Sequence, residues 1–315
     1  MPNPFWNAGQ RRPRAAWRLL LFLVVVAAVA NPLVLLLDQS GDPLLEGSLE
    51  NACVAAGFLA ALAVAARYSE RRPLRDFGLP RGGAGALRVA AGFLLGVAPV
   101  GVIVLACHLA GWLSLRETAW TSLPSTASPL ALAGQILRYS AGSLFEEIVS
   151  RSYLLRMGAE LAHAAGAGRR RAVLMAWCAT SFLFGGLHLA NPEASLQSAL
   201  NLSLLGLLFG LPMILTGDLS LSIGLHAGWN VAQNCLFGLP NSGKPSVAAI
   251  LALDVEGPSL WTGGTFGPEG GLLATIVVAA ALLAGFASRR RWSGTGGIVL
   301  SLAEPPPLAR RSDLR

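Results

Sequence analysis

Residues 89–110 read VAAGFLLGVAPVGVIVLACHLA. No Asp, Glu, Lys or Arg interrupts them. A hydrocarbon core about 30 Å thick takes roughly 20 helical residues to cross, so a stretch this long and apolar is a membrane span. Seven further apolar stretches fall at about 16–37, 51–66, 129–157, 172–190, 195–216, 220–237 and 270–287. The 315-residue chain is 53% hydrophobic and only 13% charged, against roughly 25% charged in soluble domains. These features predict an all-α, polytopic membrane bundle of about eight transmembrane helices. The lipid bilayer is its first partner. The net charge of +7 gives no argument for nucleic acid, because in a membrane chain the placement of positive charge is what carries meaning.

That placement tests the count. Arg11, Arg12, Arg14 and Arg18 precede the first stretch; Arg67, Arg71, Arg72, Arg75, Arg81 and Arg88 lie between the second and third. Arg169–Arg171 follow the fourth stretch, and Arg289–Arg291 the eighth. Eight crossings put all four clusters on one side, cytoplasmic by the positive-inside rule, with both termini there. The opposite loops carry only Arg116 and Lys244, and the first of them holds Asp38, Asp42, Glu46 and Glu50. Lys244 is the sole lysine; the Arg, Ala, Gly and Leu bias suggests a GC-rich bacterial genome, hence a multi-pass protein of the inner (cytoplasmic) membrane.

The expected layout is a cytoplasmic N-terminal tail (1–15) and N-terminal helices (16–128) with an Arg-rich cytoplasmic linker (67–88). A core (129–240), an extracytoplasmic Gly/Pro-rich loop (241–269), a last helix (270–288) and a disordered cytoplasmic tail (289–315) follow. Ala28-Val29-Ala30 offers a signal-cleavage site, but the apolar run continues through Leu33–Leu37, which favours an uncleaved helix kinked at Pro32. The linker reads either as an interfacial helix or as a solvated loop. Cys53, Cys107, Cys178 and Cys235 lack the spacing of a metal site and read as small buried hydrophobes.

Within the spans, ionisable residues are costly and need a partner or a purpose. Residues 143–155, SLFEEIVSRSYLL, hold three. On a 3.6-residue helix Glu147 and Arg151 share a face, while Glu146 is rotated about 100° from Glu147 and about 140° from Arg151. Glu147–Arg151 therefore reads as a structural pair and Glu146 as the reactive carboxylate, the alternative being that all three serve helix packing. His188 follows Phe184 by four in SFLFGGLHLANP, and Asn230 follows His226 by four in SLSIGLHAGWNVAQN, flanked by Gly224 and Gly228. Polar groups on three helices are most cheaply buried in one shared cavity.

Such a set can hydrolyse an acyl or peptide bond without a covalent intermediate. Glu146 takes a proton from water, His188 orients it, and His226 with Asn230 faces the oxyanion. No Gly-x-Ser-x-Gly elbow supports a serine nucleophile. The metal alternative takes Glu146, His188 and His226 as three zinc ligands with water as the fourth. It lacks a His-Glu-x-x-His chelate, so no cofactor is expected, zinc being the minority reading. A non-catalytic membrane scaffold or immunity factor that keeps these residues for stability is the rival from another class. A transporter ranks third, since no helices broken by Gly or Pro at mid-membrane recur in matching halves.

Glu-Glu-x-x-x-Arg (146–151), Phe-x-x-x-His (184–188) and His-x-x-x-Asn (226–230), in that order, resemble the intramembrane glutamic endopeptidases of the CAAX-protease and bacteriocin-processing (Abi) family. The resemblance covers about 129–240, with FGPEGGLLATIV (266–277) also similar to bacterial members. It implies an eight-helix bundle with a cavity reached from the membrane or cytosol. Glu146 and His188 would activate water, Glu147 would pair with Arg151, and His226 with Asn230 would stabilise the oxyanion. The substrate implied is a membrane protein or peptide. Eukaryotic members trim prenylated C termini; bacterial ones are linked to bacteriocin maturation or immunity and to membrane-protein processing. Ser150-Arg151-Ser152 departs from the family's common Phe-Arg-Gly, which puts local helix packing in question more than the chemistry.

Overall fold

The computed structural model describes residues 3–38, 43–118, 129–293 and 297–306. Helices occupy all eight apolar stretches. α1 (Ala15–Asp38) runs unbroken past Pro32 and packs along α2 (Pro43–Val64), which continues into a π-helical turn, Ala65–Glu70. α3 spans Gly82–Leu109. α4 (Pro129–Glu147), a π turn (Ile148–Leu154) and α5 (Leu155–Ala164) form one continuous helical rod. α6 (Arg169–Leu187) ends in a 3₁₀ turn at His188–Ala190, and α7 (Leu196–Thr216) starts on a reciprocal Ser195/Ser198 capping box. α8 (Ser220–Val231) also runs into a π turn, Ala232–Leu236. A short α9 (Ser259–Thr262), α10 (Leu272–Ala287) and α11 (Arg289–Ser293) complete the order.

Five helical stretches are long and apolar enough to cross a membrane, at Ala15–Leu36, Leu49–Glu70, Leu74–Leu109, Arg169–Ala190 and Leu196–Thr216. α10 is apolar but has 16 residues, α8 has 12 before its π turn, and α4 carries Arg138, Glu146 and Glu147. The fold is a helical membrane bundle.

Glycine sets the closest helix approach. Gly92 and Gly96 of α3 lie against the backbone at Leu221 and Leu225, and Gly224 and Gly228 of α8 against that at Val89 and Phe93. A Cβ at Gly96 would sit 2.1 Å from the Leu225 carbonyl oxygen, and one at Gly228 2.0 Å from that of Phe93. This is small-xxx-small packing from both partners, the contact that van der Waals forces favour where lipid offers no hydrophobic drive. It fixes α8, and with it His226 and Asn230. Gly185 of α6 meets the Ala199 carbonyl oxygen of α7 in the same way, whereas Gly186 faces open space. Of the two glycines before His188, one therefore makes room for a neighbouring helix.

The connections gather at two ends. At one, a hairpin of β1 (Trp6–Asn7) and β2 (Arg12–Pro13) delivers Arg12 into a buried ion cluster. Its Nη1 lies 3.1 Å from Glu70 Oε2 and its Nη2 2.6 Å from Glu160 Oε2; Arg18 binds Glu70, and Arg72 binds Glu160. Tyr153 donates to Glu70 at 3.0 Å. Burial lowers the Arg12 pKa from its ordinary value, opposed by the charge of Glu160. Arg72 also reaches the Glu304 carbonyl and Arg169 its carboxylate, while Arg88 pairs with Asp218. At the other end β3 (Leu113–Thr118) pairs antiparallel with β4 (Leu251–Val255), and Asn191 Nδ2 donates to the Ser242 carbonyl at 3.1 Å.

Three segments carry local structure that their composition did not indicate. The linker 67–88 is partly built into the bundle: Glu70 and Arg72 are buried in the ion cluster and Ser69 and Phe77 are buried beside it, while Arg67, Arg75 and Arg81 are exposed. The tail 289–315 is not disordered where it is described. Arg289–Ser293 is helical, and Leu302 and Ala303 are fully buried against α5 and α6, at the end of a short apolar run, Ile298–Ala303, ahead of the prolines. The loop 241–269 carries a strand, a helical turn and a buried carboxylate, Glu269. Residues 294–296 and 307–315 of the tail, 39–42 of the first loop and 119–128 before the core lie outside the described residues.

Candidate active site

Glu146 and Glu147 end α4, where the π turn begins. That turn admits an extra residue between hydrogen bonds, so side-chain phase shifts just after the glutamates, a feature common at functional positions. Arg151, inside the turn, still reaches back. Its Nη1 is 3.2 Å from Glu147 Oε1, with both side chains essentially sealed from solvent (1% and 0% exposed). The contact is ionic rather than an aligned hydrogen bond, since Arg151 Nη1 and Glu147 Oε2 lack hydrogen-bond partners among the described residues. Arg151 is further held by Nη2 donating to the Gly206 carbonyl at 2.9 Å and by its guanidinium lying 4.7 Å over the Phe184 ring. The expected Glu147–Arg151 pair is present.

Glu147 does more than the helical phase indicated. Its Oε1 also accepts from His226 Nδ1–H at 3.0 Å. The ring, stacked on Phe209 with centroids 4.4 Å apart, then turns Nε2 towards Glu146 Oε2, 3.6 Å away. With Nδ1–H committed, Nε2 donates only when the ring carries both protons. Glu146 is the more open carboxylate, its side chain 30% exposed.

His188 opens the 3₁₀ turn after α6. Its Nδ1–H donates to the Phe184 carbonyl at 2.7 Å, which selects the tautomer with a free Nε2. Phe184 thus serves twice, orienting His188 through its backbone and covering Arg151 with its ring. Asn230 donates from Nδ2 to Ser143 Oγ at 3.2 Å and accepts at Oδ1 from Asn241 Nδ2 at 3.1 Å. Glu146, His188, His226 and Asn230 line one cavity of about 80 Å³, room for more than one water. Glu147 and Arg151 stand behind it, reaching it only through His226 and Phe184.

Sequence reasoning missed Glu269 and Asn241. Glu269 is 2% exposed. Its Oε1 accepts from Trp229 Nε1 at 3.0 Å, and its Oε2 from the Ser242 N–H at 2.8 Å and Ser242 Oγ at 2.7 Å. It thereby ties the residue before Asn230 to the residue after Asn241. The available signal was a lone carboxylate set among Gly and Pro directly before an apolar span. Asn241, in a polar loop, gave none.

Among the described residues no three His, Cys, Asp or Glu side chains are placed to hold a metal ion.

Residues 128–232 match the Rce1-like family model, type II CAAX prenyl endopeptidase Rce1-like. This is the CAAX-protease likeness that the three motifs carry. The matched segment holds Glu146, Glu147, Arg151, His188, His226 and Asn230 and stops short of Asn241 and Glu269. CAAX proteases are hydrolases, and the match, together with the apolar helices, points to a membrane protein with endopeptidase activity. No curated protein and no solved structure matches the chain.

Proposed function

We propose that the chain is an endopeptidase that cuts a membrane protein or peptide in or near the bilayer by a Glu146/His188-activated water. The observation carrying this reading is the convergence of Glu146, His188, His226 and Asn230, from three separate helical segments, on one cavity. Glu146 takes a proton from water as its oxygen attacks the scissile carbonyl carbon, and His188 Nε2 accepts the second water hydrogen bond and holds the attack angle. The electron pair displaced from the C=O bond becomes an oxyanion, which Asn230 Nδ2 and doubly protonated His226 Nε2 stabilise. Collapse breaks the C–N bond, and the proton held by Glu146 passes to the departing amine. Glu147 and Arg151 fix the imidazole of His226 and touch no reacting atom.

The alternation of connections between the two ends supports eight crossings with both termini at the Arg-rich, cytoplasmic side of a bacterial inner membrane. The Ser150-Arg151-Ser152 departure is accommodated: Arg151 keeps its pair, and Ser152 Oγ donates to the Phe77 carbonyl at 2.7 Å.

The test compares new protein termini in membranes holding wild-type chain or Glu146→Gln, Glu147→Gln or His188→Ala at matched levels. Termini that depend on the wild-type chain should fall by about 10²–10⁴-fold for Glu146→Gln. Unchanged termini and phenotype in all three variants would favour a non-catalytic scaffold and end the protease reading.

A further inference from the structure

A second cavity, of about 680 Å³, lies between α3, α7 and α10. Its floor is α7, from Leu208 to Leu215; its walls are α3, from Leu95 to Val102, and α10, from Ile276 to Ser288. Ser288 is the only polar side chain among the described residues that line it. The floor residues are buried, while Leu95, Val102 and Ile276 stay exposed, so this is a groove open along the side of the bundle. The cavity of Glu146 and His188 uses a different face of α7, that of Leu205 and Phe209. The groove is a separate site.

Contacts between helices fix its direction. α7 and α10 run side by side in the same sense. Near their starts Asn201 Nδ2 donates to the Gly271 carbonyl at 2.9 Å, and Thr275 Oγ1 donates to Asn201 Oδ1 at 2.7 Å. Towards their ends, a Cβ on Gly285 would lie 2.7 Å from Leu211 Cδ2. The Ser288 end of the groove therefore lies with the end of α7, where Asp218 pairs with Arg88 of α3. Arg289, Arg290 and Arg291 follow Ser288 directly and are exposed, and Arg88 stands two helical turns before Leu95 on the same face. Both walls thus carry arginine at one end, four cations against the single carboxylate of Asp218.

The length is also selective. From Ile276 to Ser288 the groove runs about 18 Å at 1.5 Å per helical residue. One leaflet of a hydrocarbon core about 30 Å thick is about 15 Å deep. A lipid tail hung from the arginine end would fill the groove along its length. We propose that this groove binds an acyl tail of an anionic phospholipid, with the tail between α3 and α10 and the headgroup phosphate at Arg290 and Arg291. A helix of a second chain would also cover the apolar walls, but it gives no reason for four arginines at one end of an uncharged groove. A lipid phosphate does, through charge complementarity at the membrane surface.

Binding is read without activity. The full-length chain in nonionic detergent is titrated with palmitoyl-oleoyl phosphatidylglycerol or with phosphatidylcholine carrying the same tails. Native mass spectrometry resolves lipid adducts and chain copies in one spectrum. Phosphatidylglycerol should bind at least about 5-fold more tightly, the contribution of about one basic residue beside an anionic lipid. Ala280→Phe and Ala284→Phe fill the groove from an exposed wall, and each should weaken both lipids by about 10-fold. Leu283→Phe, on α10 outside the groove and 71% exposed, should change neither. Arg290→Gln with Arg291→Gln should abolish the headgroup preference and leave phosphatidylcholine binding in place; it lies beyond the packed span, so it decides the matter even where a filling variant does not fold. Equal binding of the two lipids by the wild-type chain overturns the proposal. So do folded filling variants that bind as the wild type does, or a dimer that Ala284→Phe dissolves. Each outcome is independent of the cleavage test above, so the two readings can fail separately.

Discussion

Replacing Glu147 by Gln and Arg151 by Met, singly and together, isolates the buried pair that supports the site. The charges are 3.2 Å apart with neither side chain measurably wet. At an effective dielectric near 20 their gross attraction is about 5 kcal/mol, opposed by the desolvation of both groups. Breaking such a pair from one side costs roughly 3–5 kcal/mol, because one charge is left buried. Glu147→Gln belongs at the lower end, since the Gly206 carbonyl and the Phe184 face still hold Arg151 and the new amide oxygen still accepts from His226. Arg151→Met belongs at the upper end. The double variant removes both charges, keeps the His226 acceptor and most of the arginine stem volume, and should lie within about 1 kcal/mol of wild type. The coupling energy, the two single costs less the double, is then about 7 kcal/mol. Reversible unfolding in mixed detergent micelles, followed by tryptophan fluorescence, reads all four chains. Single variants costing under about 1 kcal/mol, or a double costing the sum of the singles, would refute the buried-pair account. Glu146→Gln belongs in the same series. Its side chain is 30% exposed and 3.6 Å from His226, so screening should hold its cost below about 1 kcal/mol while cleavage falls.

Gly96→Ala or Gly228→Ala should destabilise by about 1–3 kcal/mol or more, because each Cβ meets backbone that cannot yield. Gly186→Ala, facing open space in the same type of helix, should be neutral or stabilising by up to about 1 kcal/mol; thermal unfolding checks the opposite signs. Glu269→Gln turns an amide donor towards a donor it now satisfies and should cost about 1.5–3 kcal/mol. Intensity or wavelength changes in Trp229 emission, together with weakened cleavage, would report the displaced Asn230 region, and an unchanged spectrum with wild-type stability would remove Glu269 from a supporting role.

Much of this protein is legible along the chain. The apolar runs give the helices because nothing else satisfies backbone groups in hydrocarbon. The phase of Glu146, Glu147 and Arg151 separates the paired carboxylate from the free one, since both readings depend only on residues within one helical turn. The roles of the tail, the linker and the long loop were illegible for the opposite reason. The apolar run Ile298–Ala303 is too short to mark a core, and Arg72 looks like any cytoplasmic arginine until Glu160, 88 residues away, is beside it.

By itself, then, the sequence determined a helical membrane protein and the short-range pairing at Glu147. Only the tertiary structure decided that His226 bridges both glutamates and that Glu269 braces Trp229 and Ser242. Those facts are contacts between segments distant in the chain. They depend on how closely the glycine faces of α3 and α8 let two backbones approach, a distance that no local pattern of residues encodes.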